Sequence, residues 1–159
     1  RASMWLEHTR RPGWKAVAAV RSEAGAPDSD TLADAPLLGV AYGYRGAPDQ
    51  WWQQQVVTGL RRGGAPTADI DALLTSYFEL TELHIHPRVQ GQGIGEALAR
   101  RLLADRPESH VLLSTPEIRG EGNRAWRLYR RMGFADVIRD YHFAGDPRPF
   151  AVLGRELPL

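Results

Sequence analysis

Gln90-Gly91-Gln92-Gly93-Ile94-Gly95 connects an apolar, β-rich run from Tyr77 to His86 with a run of helical period from Gly93 to Ala104. A strand that turns through glycines into a helix leaves several backbone N–H groups aimed at one point, and that point is an anion site. Three glycines within five residues keep side chains out of the way and permit the positive φ that such a turn needs. The spacing then excludes two phosphate loops. Counted from Gly91, G-x-G-x-x-G puts Glu96 where its last glycine belongs; counted from Gly93 it also fails, and no lysine is present as a P-loop requires. What does fit is Gln/Arg-x-x-Gly-x-Gly/Ala, filled by Gln90, Gly93 and Gly95 behind a strand that ends Leu83-His84-Ile85-His86-Pro87.

About thirty residues downstream of this loop comes Asn123-Arg124-Ala125-Trp126-Arg127-Leu128-Tyr129-Arg130-Arg131-Met132-Gly133-Phe134. The loop resembles the acetyl-CoA pyrophosphate loop of the GCN5-related N-acetyltransferases, the GNAT superfamily. The downstream run resembles that family's other signature, N-x-x-A-x-x-L-Y-x-x-x-G-F. The resemblance covers Leu37 to Phe143 well and the ends poorly. It implies a mixed α/β (α+β) GNAT fold, with a mostly antiparallel sheet splayed at a cofactor cleft and helices on its flanks. The parting is expected between the strands Phe78 to His86 and His110 to Ser114.

Composition bounds the rest. A chain of 159 residues, 43% hydrophobic and 25% charged, suits one ordinary globular domain. Lys+Arg of 20 against Asp+Glu of 19 gives a net charge of +1, which argues against wholesale binding to nucleic acid or a membrane surface. With no cysteine, disulfides, thiolate metal sites and an acyl-cysteine intermediate are excluded. No apolar run approaches the roughly 20 residues of a membrane span, and no signal-peptide pattern opens the chain, so a cytoplasmic protein is expected. The first residue is Arg1 rather than Met, and GNAT domains usually open with a strand and two helices. Residues 1–159 are therefore expected to form a single GNAT domain lacking its N-terminal strand and helices.

Along the chain, Met4 to His8 before Pro12-Gly13 reads as a helix end, and Trp14 to Val20 and Leu37 to Tyr44 read as a hairpin across a long flexible connection from Ser22 to Pro36. Pro48-Asp49 opens a helix with Trp52, Val56 and Leu60 on one stripe, and Thr67 caps a second helix to Leu74. Ile94, Ala97, Leu98 and Leu102 give the loop's helix one apolar face. His110 to Ser114 is a short buried strand, Asn123 an N-cap, and Phe134 to Phe143 and Pro149 to Leu157 closing strands. Tyr42, Tyr44, Trp51 and Trp52 read on pattern alone as core or surface aromatics; in the resembling family, elements near them wall the acceptor pocket.

The chemistry the resemblance implies is transfer of the acetyl group of acetyl-CoA to a primary amine, of a small molecule or of a protein lysine or N-terminus, by direct attack in a ternary complex. N–H groups between Gln92 and Glu96 would hold the pyrophosphate, with Gln90, Gly91, Gly93, Ile94, Gly95 and Asn123 in the cofactor site. Leu83, His84 and Ile85 would pair with the pantetheine arm as an added strand, an N–H near Ile85 facing the thioester oxygen. Tyr129 stands at the family's general-acid position and touches the cofactor. A thiol of pKa ~8.5 against ~10 for tyrosine makes proton delivery only mildly uphill. Glu82 is the first choice for the base and Glu79 the second; strict alternation sets Glu82 with Leu80, His84 and His86 on one face and Glu79 on the other, unless a bulge changes the count.

His84 and His86 read as structural or substrate-lining, without a metal. Arg88, Arg100 and Arg101 are candidates for the 3′-phosphate of CoA, and Arg124, Arg127, Arg130 and Arg131 read first as a solvated face. The expected partners are acetyl-CoA and an amine acceptor, with no nucleic acid and no membrane; a homodimer stays open. The rival from another class is a non-catalytic acyl-CoA-binding or regulatory module of the same fold.

Overall fold

A computed structural model of the chain describes residues 2–21 and 35–159, so most of the connection read from Ser22 to Pro36 lies outside the described residues. In order come α1 (Ala2–His8), β1 (Lys15–Val20), β2 (Leu37–Arg45), α2 (Trp51–Arg62), α3 (Thr67–Leu74), β3 (Tyr77–Ile85), α4 (Ile94–Leu103), β4 (His110–Pro116), α5 (Arg124–Arg131), β5 (Ala135–Tyr141) and β6 (Phe150–Glu156). Single 3₁₀ turns cover Pro87–Val89 and Arg119–Glu121.

The strands form one sheet in the order β1-β2-β3-β4-β6-β5, antiparallel everywhere except between β3 and β4. That parallel pair is short. Tyr77 pairs with His110, Phe78 with Val111 and Glu79 with Leu112, after which the two strands share no further register. β4 keeps its other partner, β6, all the way to Pro116. The sheet therefore opens like a V whose vertex is Glu79 and Leu112, as the resemblance implied.

Each face of the sheet carries its own core. On one, Leu98, Ala99, Leu102 and Leu103 of α4 and Trp126, Leu128 and Tyr129 of α5 pack with Phe78, Leu80, Val111 and Leu113. On the other, Val56 of α2 and Ile70 and Leu74 of α3 pack with Tyr77, Leu112, Val152, Tyr141 and Phe143. Residues of helical period in the sequence supply both covering layers, and alternate residues of β3 and β4 feed them.

A β-bulge falls in β3. Tyr42 pairs with Glu82 and Gly43 with Leu80, so Thr81 is the extra residue. Strict alternation is thereby corrected: Glu79 lies opposite Tyr44 and Glu82 opposite Tyr42, and both carboxylates share one face of the sheet. Leu83 and Ile85 pack instead on the α4 side with Phe78 and Leu80. β2 passes close at this point; a Cβ on Gly43 would sit 2.1 Å from the Glu79 carbonyl oxygen, which requires glycine.

Two helix starts also differ from the reading. α2 begins at Trp51 rather than Pro48, because Gln50 closes a turn on the Ala47 carbonyl first. Pro66 occupies the N-cap of α3, and Thr67 is its first residue.

Candidate active site

The glycine loop takes the geometry its sequence requires. Gly91 and Gly93 have φ of +78° and +81°, and Gly93 is the N-cap of α4 in a left-handed conformation. A Cβ at Gly93 would meet nothing within 4 Å, so glycine is needed there for backbone conformation and for the open space above it. The first intrahelical bond runs from Ala97 N–H to the Gly93 carbonyl at 3.1 Å. The N–H groups of Ile94, Gly95 and Glu96 precede it and carry the positive end of the helix dipole.

These groups border a cleft of about 450 Å³. β3 contributes Leu83 and Ile85; the loop and α4 contribute Val89, Gln90, Gly91, Gly93, Ile94, Gly95 and Glu96; α5 contributes Arg124, Ala125, Arg127, Leu128, Tyr129 and Arg131. Backbone direction fits the added-strand expectation. His86 N–H donates to the Leu38 carbonyl of β2 at 2.7 Å, so alternation turns the N–H groups of Leu83 and Ile85 away from β2, into the parting of the sheet. Gln90 Nε2 donates to the Ile85 carbonyl at 3.4 Å on that same side and ties the loop to the strand.

Tyr129 is buried, lines the cleft, and lies against the Phe134 ring at 5.8 Å. Burial pushes its hydroxyl up to about 12, so it is a neutral proton donor throughout the physiological range. That is a weaker acid than the sequence reading took it for. α5 is held by Trp126 and its cap: Asn123 Oδ1 accepts the Trp126 N–H at 2.9 Å, Trp126 Nε1 donates to the Pro116 carbonyl at 2.9 Å, and the guanidiniums of Arg130, on the same helix, and of Arg139, on β5, lie on the Trp126 ring at 5.2 and 5.0 Å. Asn123 thus acts here as an N-cap outside the cleft lining, and Gln92 too is absent from that lining.

Glu79 stands on the opposite face, at the vertex of the V. It is buried, its Oε1 has no hydrogen-bond partner among the described residues, and its Oε2 accepts from Thr81 Oγ1 at 3.4 Å. Burial raises its carboxyl to about 7, against the opposing influence of the Arg11 charge and the Thr81 and Tyr44 hydroxyls. Glu82 lies one bulge further along, paired with His84 Nε2 at 2.5 Å, and the His84 ring stacks on Trp5 at 6.3 Å. α1 and the turn behind it cover this area: His8 Nδ1 is 2.8 Å from the Tyr42 hydroxyl, and the Arg11 guanidinium lies 4.6 Å over the Tyr44 ring. The His84 side chain is therefore on the carboxylate face, away from the cleft.

Arg124, Arg127 and Arg131 are exposed, the solvated face expected of them, and they also border the cleft. Their i, i+3, i+7 spacing, which puts them on one helix face beside Leu128, was the signal available in the sequence. Of the arginines first considered for phosphate, Arg100 is engaged with Glu96 at 3.0 Å, and Arg88 and Arg101 are not in the lining. His86 Nδ1 accepts the Arg88 N–H at 3.1 Å and shapes the turn before the loop.

Known proteins resemble this arrangement. A family model described as Acetyltransferase (GNAT) domain matches residues 53–136. The GCN5-like protein acetyltransferase Rv2170 of Mycobacterium tuberculosis is 67% identical over 169 aligned residues, covering the whole of this chain and 82% of the relative. Among solved structures, NAA60 of Arabidopsis thaliana in complex with acetyl-CoA has a TM-score of 0.62 at 16% identity, over 99% of this chain and 84% of that one. The acetyltransferase yncA of Salmonella typhimurium with its cofactor acetyl-CoA has a TM-score of 0.57 at 15% identity, over 98% and 72%. These two share the fold and bind acetyl-CoA. No helix among the described residues is long and apolar enough to cross a membrane. A glycine loop ahead of α4, a sheet parted beside it and a relative two-thirds identical place the chain in the GNAT family of acetyltransferases, and it is an acyltransferase.

Proposed function

We propose that this chain binds acetyl-CoA in the cleft between β3 and α5 and transfers its acetyl group to a primary amine of a protein, a lysine side chain above all, by direct attack in a ternary complex. The observation that carries the reading is the pairing of β3 and β4, which ends at Glu79 beside a cleft edged by left-handed glycines. The cleft fits the cosubstrate: helix N–H groups with Arg124 and Arg127 suit a diphosphate, Arg131 being paired with Glu96 at 3.3 Å, and the inward N–H groups of Leu83 and Ile85 suit an extended amide-bearing arm. That the relative Rv2170 is a GCN5-like protein acetyltransferase supports a protein acceptor. So does the carboxylate face, where Glu79 and Glu82 beside Trp5 and Tyr42 favour an approaching cation. The cytoplasm, where the sequence reading places the chain, belongs to the same proposal.

In this reading the ammonium loses a proton to Glu79, whose raised pKa and whose Oε1, without a hydrogen-bond partner among the described residues, suit a base working near neutral pH. Glu79 thus takes precedence over Glu82, which is engaged by His84. The amine nitrogen attacks the carbonyl carbon, and the Ile85 N–H stabilises the oxyanion, a contribution of about 3 kcal/mol in comparable sites. The C–N bond forms, the C–S bond breaks, the Tyr129 hydroxyl protonates the departing sulfur, and the second proton shed by the acylated nitrogen returns through solvent to the tyrosinate, leaving a neutral amide and a free thiol.

Thiol release from acetyl-CoA tests this, with lysine peptides, free N-terminal peptides and small amines as acceptors. Acceptor-dependent release with acetyl-lysine as product is expected. Saturable acetyl-CoA binding without release for any amine would instead support the non-catalytic module.

A further inference from the structure

Trp51 and Trp52 begin α2, and the chemistry above uses neither. Trp52 Nε1 donates to Ser114 Oγ at 3.2 Å, and its ring lies 6.1 Å from that of Tyr77. Trp51 is 53% exposed although its ring is 6.0 Å from Phe143, which in turn meets Phe150 edge-on at 5.4 Å. Together with the Ala144–Asp146 turn they border a second cavity of about 330 Å³. Its only carboxylate, Asp146, is taken by Arg148 at 2.9 and 3.1 Å, so the cavity offers aromatic surface rather than charge.

Its place in the sheet gives this surface a use. Ser114 follows Leu112, the partner of Glu79, by two residues on the same face of β4, which is about 7 Å along the strand. The cavity thus continues the carboxylate face across the parting, on the β4 arm of the V, while Glu82 and His84 line the β3 arm. An extended polypeptide advances about 3.3 Å per residue, so a chain whose lysine reaches Glu79 passes this cavity within about three residues. A half-exposed tryptophan beside two phenylalanines is an apolar anchor site of the kind that polypeptide ligands fill with one large side chain.

We infer that the shelf formed by Trp51, Trp52, Phe143 and Phe150 receives a bulky apolar or aromatic side chain that flanks the acetylated lysine in the acceptor protein, and so selects among acceptors. This rests on the acetyl-transfer reading for the position of the lysine. The test is calorimetric titration of the native protein, with CoA present, using lysine-centred peptides. One phenylalanine is moved through the three positions on either side of the lysine, and each peptide is compared with its alanine counterpart.

At the favoured position the phenylalanine peptide binds on the order of tenfold tighter than the alanine peptide. W51A brings the two within about twofold, and W51F, which keeps an aromatic ring, retains the preference. Equal affinities at every position, absence of binding included, or a preference that survives W51A, overturns the inference. Failure of the acetyl-transfer reading has a separate signature, binding of these peptides with no thiol release from acetyl-CoA.

Discussion

Replacing Glu79 by Gln is expected to abolish acceptor-dependent turnover and at the same time stabilise the fold at alkaline pH. The carboxyl is raised from its ordinary 4.5 to about 7 by burial. The native state therefore holds a proton that the unfolded chain has released between those values, and stability falls as pH rises through that window. A shift of about 2.5 units at about 1.36 kcal/mol each corresponds to roughly 3 kcal/mol lost by pH 8, and almost none at pH 4. Glutamine has nearly the same shape, keeps an oxygen for the Thr81 hydroxyl and carries no charge, so it recovers most of that amount. For a domain of this size the gain amounts to roughly 6–12 °C in Tm at pH 8, shrinking toward zero at pH 4. Thermal unfolding of both proteins across pH, with thiol release measured on the same samples, provides the check. A Tm difference that does not change with pH would refute the burial argument, and a fully active E79Q would remove Glu79 from the chemistry.

Tyr129→Phe keeps the ring in its place against Phe134 and removes only the hydroxyl; kcat is expected to fall on the order of 10²-fold or more, with the Kd for acetyl-CoA by calorimetry within about twofold of native. Arg11→Met removes a positive charge that favours ionised Glu79. The acidic limb of the pH profile of kcat/KM, which Glu79 sets near neutrality, is expected to move to higher pH, and a limb that stays or moves down contradicts the assignment. Asn123→Ala deletes the oxygen that accepts the Trp126 N–H and is expected to cost about 1 kcal/mol, read as a Tm lower by a few degrees.

Much of this architecture was legible in the sequence, since local chemistry dictates it. The glycines before Ile94 admit little but a strand-to-helix turn, and the apolar periods of α4 and α5 fix which residues face the sheet. The position of Tyr129 beside the cleft agrees with its matched signature, and the left-handed turn at Gly93 with its spacing. The face of Glu79 did not follow, because a single inserted residue, Thr81, reverses the count, and what specifies the bulge is the close passage of Gly43 on another strand. The arginines of α5 were hidden for a related reason. Arg124, Arg127 and Arg131 are solvated as their sequence suggests; that this face also borders a cleft follows only from the docking of Trp126 onto the end of β4. The weaker acidity of Tyr129 likewise depends on how much of the phenol the surrounding core covers.

A crystal structure of the native protein grown with acetyl-CoA puts the central claim to the most direct test. The account predicts the diphosphate on the N–H groups at the start of α4, the pantetheine arm alongside Leu83 and Ile85, and the sulfur within hydrogen-bonding reach of the Tyr129 hydroxyl. A nucleotide bound elsewhere, or a sulfur remote from Tyr129, would contradict it.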